Sequence, residues 1–214
     1  MITIQETGRL SKPLDEARKI LIVPQGYAGF CFEPNKFPDQ AKTVLTTTGV
    51  GPCHCLIIVE DYSDSVVLCH LDESFTNNAF AHTTRLLEIL RDGCGVSSPK
   101  YSLSIATSSP IRDTVLRGRE VIRAANAFCG NDRMEAPLVH TVCGQTDHAF
   151  TVGDPTTTHH IGDIDQSKHF DRSDGVLGWS TWQRIGGMSP GLTGRRIRYL
   201  LNPDITPTRY IKPV

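Results

Sequence analysis

The sequence has no apolar run of the roughly 20 residues that a helix needs to cross a bilayer. Its first ten residues lack the cationic head and hydrophobic stretch of a secretory signal. Acidic and basic residues are nearly balanced, 23 against 22, so no charge surplus favours nucleic acid. We therefore expect a cytoplasmic protein that binds neither membranes nor nucleic acid. Delivery into another cell's cytosol without a cleavable signal is the alternative.

A glycine-rich phosphate loop is also missing, so the sequence does not favour a nucleotide-binding fold. Cysteine is present, but not in the form of a disulfide framework. The seven cysteines are odd in number, and no signal peptide precedes them. Reduced thiols are therefore expected, each of them a core residue, a metal ligand or a nucleophile.

Hydrophobic periodicity predicts an α+β fold with mixed α/β layers. Residues 54–59 and 65–71 form two extended runs around turn residues 61–64, which indicates a β-hairpin. Two amphipathic helices are predicted over residues 77–91 and from about 110 to 129. We expect a sheet or sandwich core within one domain, 1–214. The core of this domain, which carries the cysteine and histidine residues of the hairpin, spans about 43–155. An irregular, loop-rich C-terminal extension spans 156–214.

Three stretches are predicted to be loop or solvated surface. Residues 25–40, which include Cys31, are rich in glycine, proline, asparagine and aspartate. His159 and His160 follow three threonines in a predicted loop. Four arginines are mostly off the apolar stripe of the second helix and are predicted to be solvated: Arg112, Arg117, Arg119 and Arg123.

The hairpin carries the side chains that are most able to react. Side chains alternate along a strand, so Cys53 and Cys55 share one face of the first run. His70 lies on one face of the second run, directly opposite Cys55 and diagonal to Cys53. Either thiol could reach the imidazole, and periodicity alone does not choose between them.

Local chemistry favours Cys53 as the nucleophile. It follows Gly49-Val50-Gly51-Pro52, where the backbone opens and N–H groups could hold an oxyanion. Cys55 lies deeper in an apolar run, where burial makes a thiol inert. The neighbouring His70 would serve as base, and Thr47 is a candidate to orient the ring by its hydroxyl or its carbonyl.

Thr47, Cys53 and His70 are separated by five and sixteen residues. This pattern resembles the superfamily of chemoreceptor glutamine deamidases, cytotoxic necrotizing factor catalytic domains and, most closely, protein N-terminal asparagine amidohydrolases. In the last group the nucleophile is also followed by histidine, as in Cys53-His54 here. The resemblance covers about residues 43–155. The chain departs from the chemoreceptor enzymes in carrying Gly51-Pro52 where they carry Gly-Ser.

The resemblance implies a deamidase that requires no cofactor and no metal ion. Cys53 would attack the side-chain carboxamide of Asn or Gln in a protein or peptide, and His70 would protonate the departing ammonia. Water would then hydrolyse the thioester. An amine in place of water would make the same site a transglutaminase.

Two readings from other classes stay open. The first is a non-enzymatic, zinc-stabilised interaction module, whose four ligand-type residues would be Cys53, Cys55, Cys69 and His70. The alternation of strand side chains argues against it, because Cys69 and His70 point to opposite faces. The second is a catalytically silent binding protein, in which Cys53 would have ordinary thiol reactivity.

Overall fold

The computed structural model describes twelve stretches of the chain. They are residues 2–17, 19–23, 27–32, 43–71, 78–107, 112–130, 133–142, 144–151, 157–165, 176–177, 198–201 and 210–211. Asp72, Cys143 and most of the predicted C-terminal extension lie outside them.

The described residues form thirteen strands and three helices. The strands are β1 Thr3–Arg9, β2 Lys19–Ile22, β3 Tyr27–Cys31, β4 Thr43–Val50, β5 His54–Glu60, β6 Ser65–Leu71, β7 Tyr101–Thr107, β8 Leu138–Thr141, β9 Thr146–Thr151, β10 Thr158–Asp163, β11 Val176–Leu177, β12 Arg198–Leu201 and β13 Tyr210–Ile211. The helices are α1 Ser11–Glu16, α2 Ala79–Gly93 and α3 Arg112–Cys129.

Within the described residues the strands form two mixed sheets. The first sheet has the order β1-β10-β9-β4-β2-β11, and the second has the order β13-β12-β3-β6-β5-β7-β8. The chain passes from the first sheet to the second between β4 and β5, at bend residues 51–53. Cys53 therefore lies where the two sheets are joined.

Three apolar clusters hold the layers together. One cluster, the inter-sheet core, combines residues of both sheets, among them Leu45 and Phe150 of the first and Ile57 and Leu68 of the second. A second cluster packs α2 and α3 against the other face of the second sheet. A third packs α1 against the outer face of the first sheet. The predicted α+β class is confirmed.

The β5–β6 hairpin has the predicted register. Cys55 pairs with His70, and Glu60 pairs with Ser65 at the turn. The buried carboxylate of Glu60 accepts hydrogen bonds from the Ser63 N–H and hydroxyl, at 2.8 and 2.7 Å. The turn also places Asp64 at φ 55°, in the left-handed region that aspartate tolerates better than most residues. These contacts fix the register on which the facing of Cys55 and His70 depends.

The end of β4 is distorted before it crosses to the second sheet. The pairing of β4 with β9 shifts register between Thr47 and Val50. Gly49 lies within this irregularity at φ 70°, a conformation that glycine adopts without strain. Its N–H donates to Asp147 Oδ1 at 2.8 Å, and the Ile164 N–H donates to Asp147 Oδ2 at 2.9 Å. One carboxylate thus ties the bulge to the rest of the first sheet.

Two loop predictions are wrong. Within residues 25–40, β3 pairs with β6, and Cys31 is buried in the inter-sheet core. Within the predicted irregular extension, β10 lies between β1 and β9. Both strands escaped detection because glycine, alanine and histidine occupy positions where a buried strand usually carries branched apolar residues.

We expect Gly162→Ala to destabilise the fold by about 1–3 kcal/mol, because a Cβ there would overlap the backbone carbonyl of Thr7. Gly8→Ala is the matched control, since a Cβ at Gly8 meets nothing within 4 Å. Urea unfolding of the two variants measures the difference. Equal midpoints would show that β1 and β10 do not approach as closely as described.

Candidate functional site

A hydrogen bond across the two sheets fixes the tautomer of the neutral His70 ring. Thr47 Oγ1 donates to the Val23 carbonyl oxygen at 2.7 Å, and it also lies 2.7 Å from His70 Nδ1. A hydroxyl has one proton, and a carbonyl oxygen can only accept. The His70 contact must therefore be a bond from Nδ1–H to Thr47 Oγ1. In the neutral ring this leaves the lone pair on Nε2, the nitrogen that a general base uses.

The two candidate thiols differ in their surroundings. Cys53 and Cys55 both belong to the inter-sheet core, the side on which Thr47 meets His70. Cys55 is completely buried, and desolvation, followed by the charge of Cys69, raises its thiol pKa well above the ordinary value. Cys53 is 4 % exposed and sits in the bend rather than in the strand.

The bend is held from the helical side by Arg117. Its Nη1 donates to the Pro52 carbonyl oxygen at 2.9 Å and contacts His54 Nδ1 at 3.1 Å. The Thr107 hydroxyl donates to the Cys53 carbonyl oxygen at 3.0 Å. The backbone on both sides of the Cys53 α-carbon is therefore anchored by side chains from α3 and β7.

These anchors orient the Cys53 peptide groups. In a trans peptide the carbonyl and the following N–H point in opposite directions. Because the Pro52 carbonyl accepts from Arg117, the Cys53 N–H points away from that guanidinium.

The predicted solvation of Arg117 is wrong, because its side chain is completely buried. Arg112, Arg119 and Arg123 are exposed as predicted. The buried face of α3 runs through positions 114, 117, 121, 124 and 125 at helical spacing. A hydrophobicity pattern places a cation at the surface, so it gave no signal for an arginine that is buried to satisfy a backbone carbonyl oxygen.

The Arg117 guanidinium also determines the tautomer of His54 and helps to keep the ring uncharged. A guanidinium can only donate, so His54 Nδ1 is the acceptor and the ring proton lies on Nε2. Burial, and then the charge of Arg117, lower the His54 pKa from 6.5 to about 3. His54 is neutral and structural, and it lies on the opposite strand face from Cys53.

A pair of buried histidines, His148 and His159, lies in the inter-sheet space. His148 Nδ1 and His159 Nε2 are 2.9 Å apart, within hydrogen-bond distance. The outer nitrogen of each ring meets a hydroxyl, Thr146 Oγ1 at 3.0 Å from His148 and Ser104 Oγ at 2.9 Å from His159. The predicted solvated loop at His159 is therefore wrong, since the side chain is fully buried within β10.

Both rings of this pair are neutral. Burial, and then the charge of His159, lower the His148 pKa well below its ordinary value. Burial, and then the charge of His160, lower the His159 pKa to about 3. One ring thus donates to the other, and the hydroxyls at the two ends can serve as donor or acceptor.

The four ligands of the predicted zinc module do not converge. Cys69 belongs to the cluster that faces the helices, whereas Cys53 and Cys55 belong to the inter-sheet core. The structure instead brings Cys55 together with His148 and His159, with ligand atoms all within 4.8 Å of one another. The spacing of these three residues along the sequence does not predict that they lie together.

A cavity of about 190 Å³ lies on the helical side of the second sheet. Its lining includes His54, Thr107, Thr114 and Gly118. It therefore borders the anchored backbone of the bend and not the Cys53 thiol, which belongs to the other face.

Comparisons with known proteins do not supply a family. No model of a known family matches the chain, and no curated protein matches it. Among solved structures, one that it resembles is the Neisseria meningitidis protein NMB0706, described as family-model DUF152. The TM-score is 0.33 at 7% identity, and the match covers 67% of this chain and 64% of that protein. A TM-score of this size does not establish a shared fold.

The expected membership of the deamidase superfamily is therefore wrong on these comparisons, because the structural match is described as a DUF152 protein and not as a cysteine deamidase. A short pattern of three residues recurs by chance in unrelated chains. Among the described helices, none is both long enough and apolar enough to cross a membrane.

The neutral state of His54 predicts a loss of stability in acid. The unfolded chain binds a proton at this ring near pH 6.5, whereas the folded chain does so only near pH 3. The contribution is therefore complete above pH 6.5 and declines as the pH falls towards 3. His54→Asn keeps an acceptor for Arg117 and removes the titration, so its free energy of unfolding should depend less on pH.

Urea unfolding between pH 6.5 and about 4 tests this expectation. His140→Asn is the control, because His140 lies on the partly exposed edge strand β8 beside Glu6. Equal pH slopes for wild type and His54→Asn would contradict the assignment.

Proposed function

We propose that the protein is a cysteine-dependent amidohydrolase in which Cys53 is the nucleophile and His70 is the general base. The observation that carries the proposal is the Thr47 hydroxyl, which donates to the Val23 carbonyl and accepts from His70 Nδ1–H. Catalytic thiol–imidazole sites need a third group that orients the ring and fixes its tautomer. Thr47 supplies this through its side chain, as a positioning residue.

The choice of Cys53 over Cys55 rests on its slightly greater exposure and on its position at the bend. Complete burial raises the Cys55 pKa, which makes that thiol a poor nucleophile. Cys53 lies at the bend, where Arg117 holds the preceding carbonyl, so that the Cys53 N–H points away from the guanidinium. That N–H is the proposed oxyanion donor.

The reaction proceeds in two balanced steps. His70 Nε2 takes the Cys53 thiol proton, and the sulfur attacks the carboxamide carbon. The C–N bond then breaks, and His70 returns the proton so that ammonia leaves and a thioester remains. In the second step His70 takes a proton from water, hydroxide attacks the thioester, the C–S bond breaks, and His70 returns the proton to the departing sulfur. The products are a carboxylic acid and the restored thiol.

The burial of Cys53 supports a side-chain carboxamide of Asn or Gln as substrate. With Cys53 only 4 % exposed, a narrow terminal group is the proposed reacting part of the substrate. A backbone peptide bond carries chain on both sides and needs an open groove. We propose a protein or peptide as the partner and neither nucleic acid nor membrane, with all 214 residues acting as one catalytic domain. The cytoplasm is the proposed compartment, since the described cysteines are thiols and not disulfides.

Variants of the two key residues test the proposal. Cys53→Ala should abolish ammonia release from Asn- and Gln-containing peptides, whereas Cys31→Ala, another buried thiol of the inter-sheet core, should retain it. Thr47→Val should lower kcat by roughly 10²-fold, the lower end of what general-base catalysis contributes. Thr47→Ser keeps the hydroxyl and should restore most of that loss.

Mass spectrometry of the peptide product checks conversion of carboxamide to carboxylate, and circular dichroism checks that each variant is folded. Adding a primary amine separates the transglutaminase alternative, which would yield an amine-linked product. Ammonia release that survives in folded Cys53→Ala would refute the nucleophile assignment.

A further inference from the structure

The residues that the proposed mechanism does not use include a buried trio of metal-ligand type. Cys55 projects from the second sheet, and His148 and His159 project from the first sheet. Their ligand atoms lie within 4.8 Å of one another, and all three residues are completely buried. A thiol and two imidazoles form a donor set that suits zinc.

We propose that Cys55, His148 and His159 bind a single zinc ion that joins the two sheets. Tetrahedral zinc places its nitrogen donors roughly 3.3 Å apart, given Zn–N bonds of about 2.0–2.1 Å. The facing nitrogens of the two rings are 2.9 Å apart, so they need to separate by only a few tenths of an ångström. The three protein ligands leave one tetrahedral position for a water molecule.

The surroundings of the two rings match those of metal ligands. A ligating histidine binds the metal through one nitrogen and donates its other N–H to a fixed acceptor. Thr146 Oγ1 and Ser104 Oγ stand 3.0 and 2.9 Å from the outer nitrogens of His148 and His159. With zinc between the rings, both outer nitrogens carry protons and both hydroxyls accept them. Without zinc, only one outer nitrogen can donate, because the other ring gives its proton to its neighbour.

The protonation states fit the same picture. The depressed pKa values of both histidines keep them neutral, so their lone pairs are available at neutral pH. Zinc replaces the proton of the Cys55 thiol, which is released to solvent, and holds the sulfur as thiolate. Because the ligands come from different sheets, zinc binding contributes directly to the stability of the sandwich.

The test uses the full chain, stripped with a chelator and dialysed against zinc alone. Elemental analysis of the wild type should find one zinc ion per chain, and Cys55→Ala and His159→Gln should lose it. Cys69→Ala is the matched control, because that thiol is equally buried on the same hairpin but faces the helices. It should bind zinc as the wild type does, and so should Cys53→Ala, which makes the test independent of the amidohydrolase proposal.

A second measurement needs no variant. Cobalt in place of zinc in the wild-type protein should give the visible bands of a tetrahedral ion and a thiolate-to-cobalt charge-transfer band. Zinc and cobalt should also raise the thermal unfolding temperature of the wild type. Wild-type protein that binds no zinc, or equal zinc loss in Cys69→Ala and Cys55→Ala, would overturn the proposal. Cobalt spectra without a thiolate band would overturn it as well.

Discussion

The single proton of the Thr47 hydroxyl determines which tautomer His70 adopts in the proposed site. Because that proton is given to the Val23 carbonyl, the only bond left to His70 Nδ1 is one in which the ring donates. Thr47 belongs to the first sheet and His70 to the second. The tautomer of the base is therefore set by how the two sheets stack. The register of the hairpin and the hydrogen bond from Arg117 to the Pro52 carbonyl hold the backbone next to Cys53 in position.

The inter-sheet space combines an apolar core with a polar layer. Ile57, Leu68 and Phe150 supply apolar burial, yet His148 and His159 lie among them. An unpaired buried polar group costs about 1–3 kcal/mol, so a core of this kind persists only when its polar atoms find partners. Hydrogen bonds supply partners to both rings, and the proposed zinc ion would use the same nitrogens. The same ring nitrogens of His148 and His159 therefore serve both the stability of the core and the proposed zinc binding.

Much of the hairpin could be predicted from the sequence, because strand periodicity of two leaves little choice of register. Cys55 faces His70 as expected. The burial of Arg117 and His159 could not be predicted, since their roles come from contacts with residues 65 and 55 positions away in the sequence. Propensity describes a residue's neighbours along the chain, whereas these polar groups are buried by partners from another layer. The contact of Thr47 with His70 was expected, but its direction required the Val23 carbonyl.

The most direct test of the account is the tautomer of His70 in the folded protein. Long-range proton–nitrogen NMR distinguishes a protonated ring nitrogen from one with a lone pair, and His70→Gln assigns the signals. A neutral ring with its proton on Nδ1 and a lone pair on Nε2 is the expected result. A proton on Nε2 would mean that Thr47 does not accept from the ring, and the general-base role of His70 would lose its structural basis.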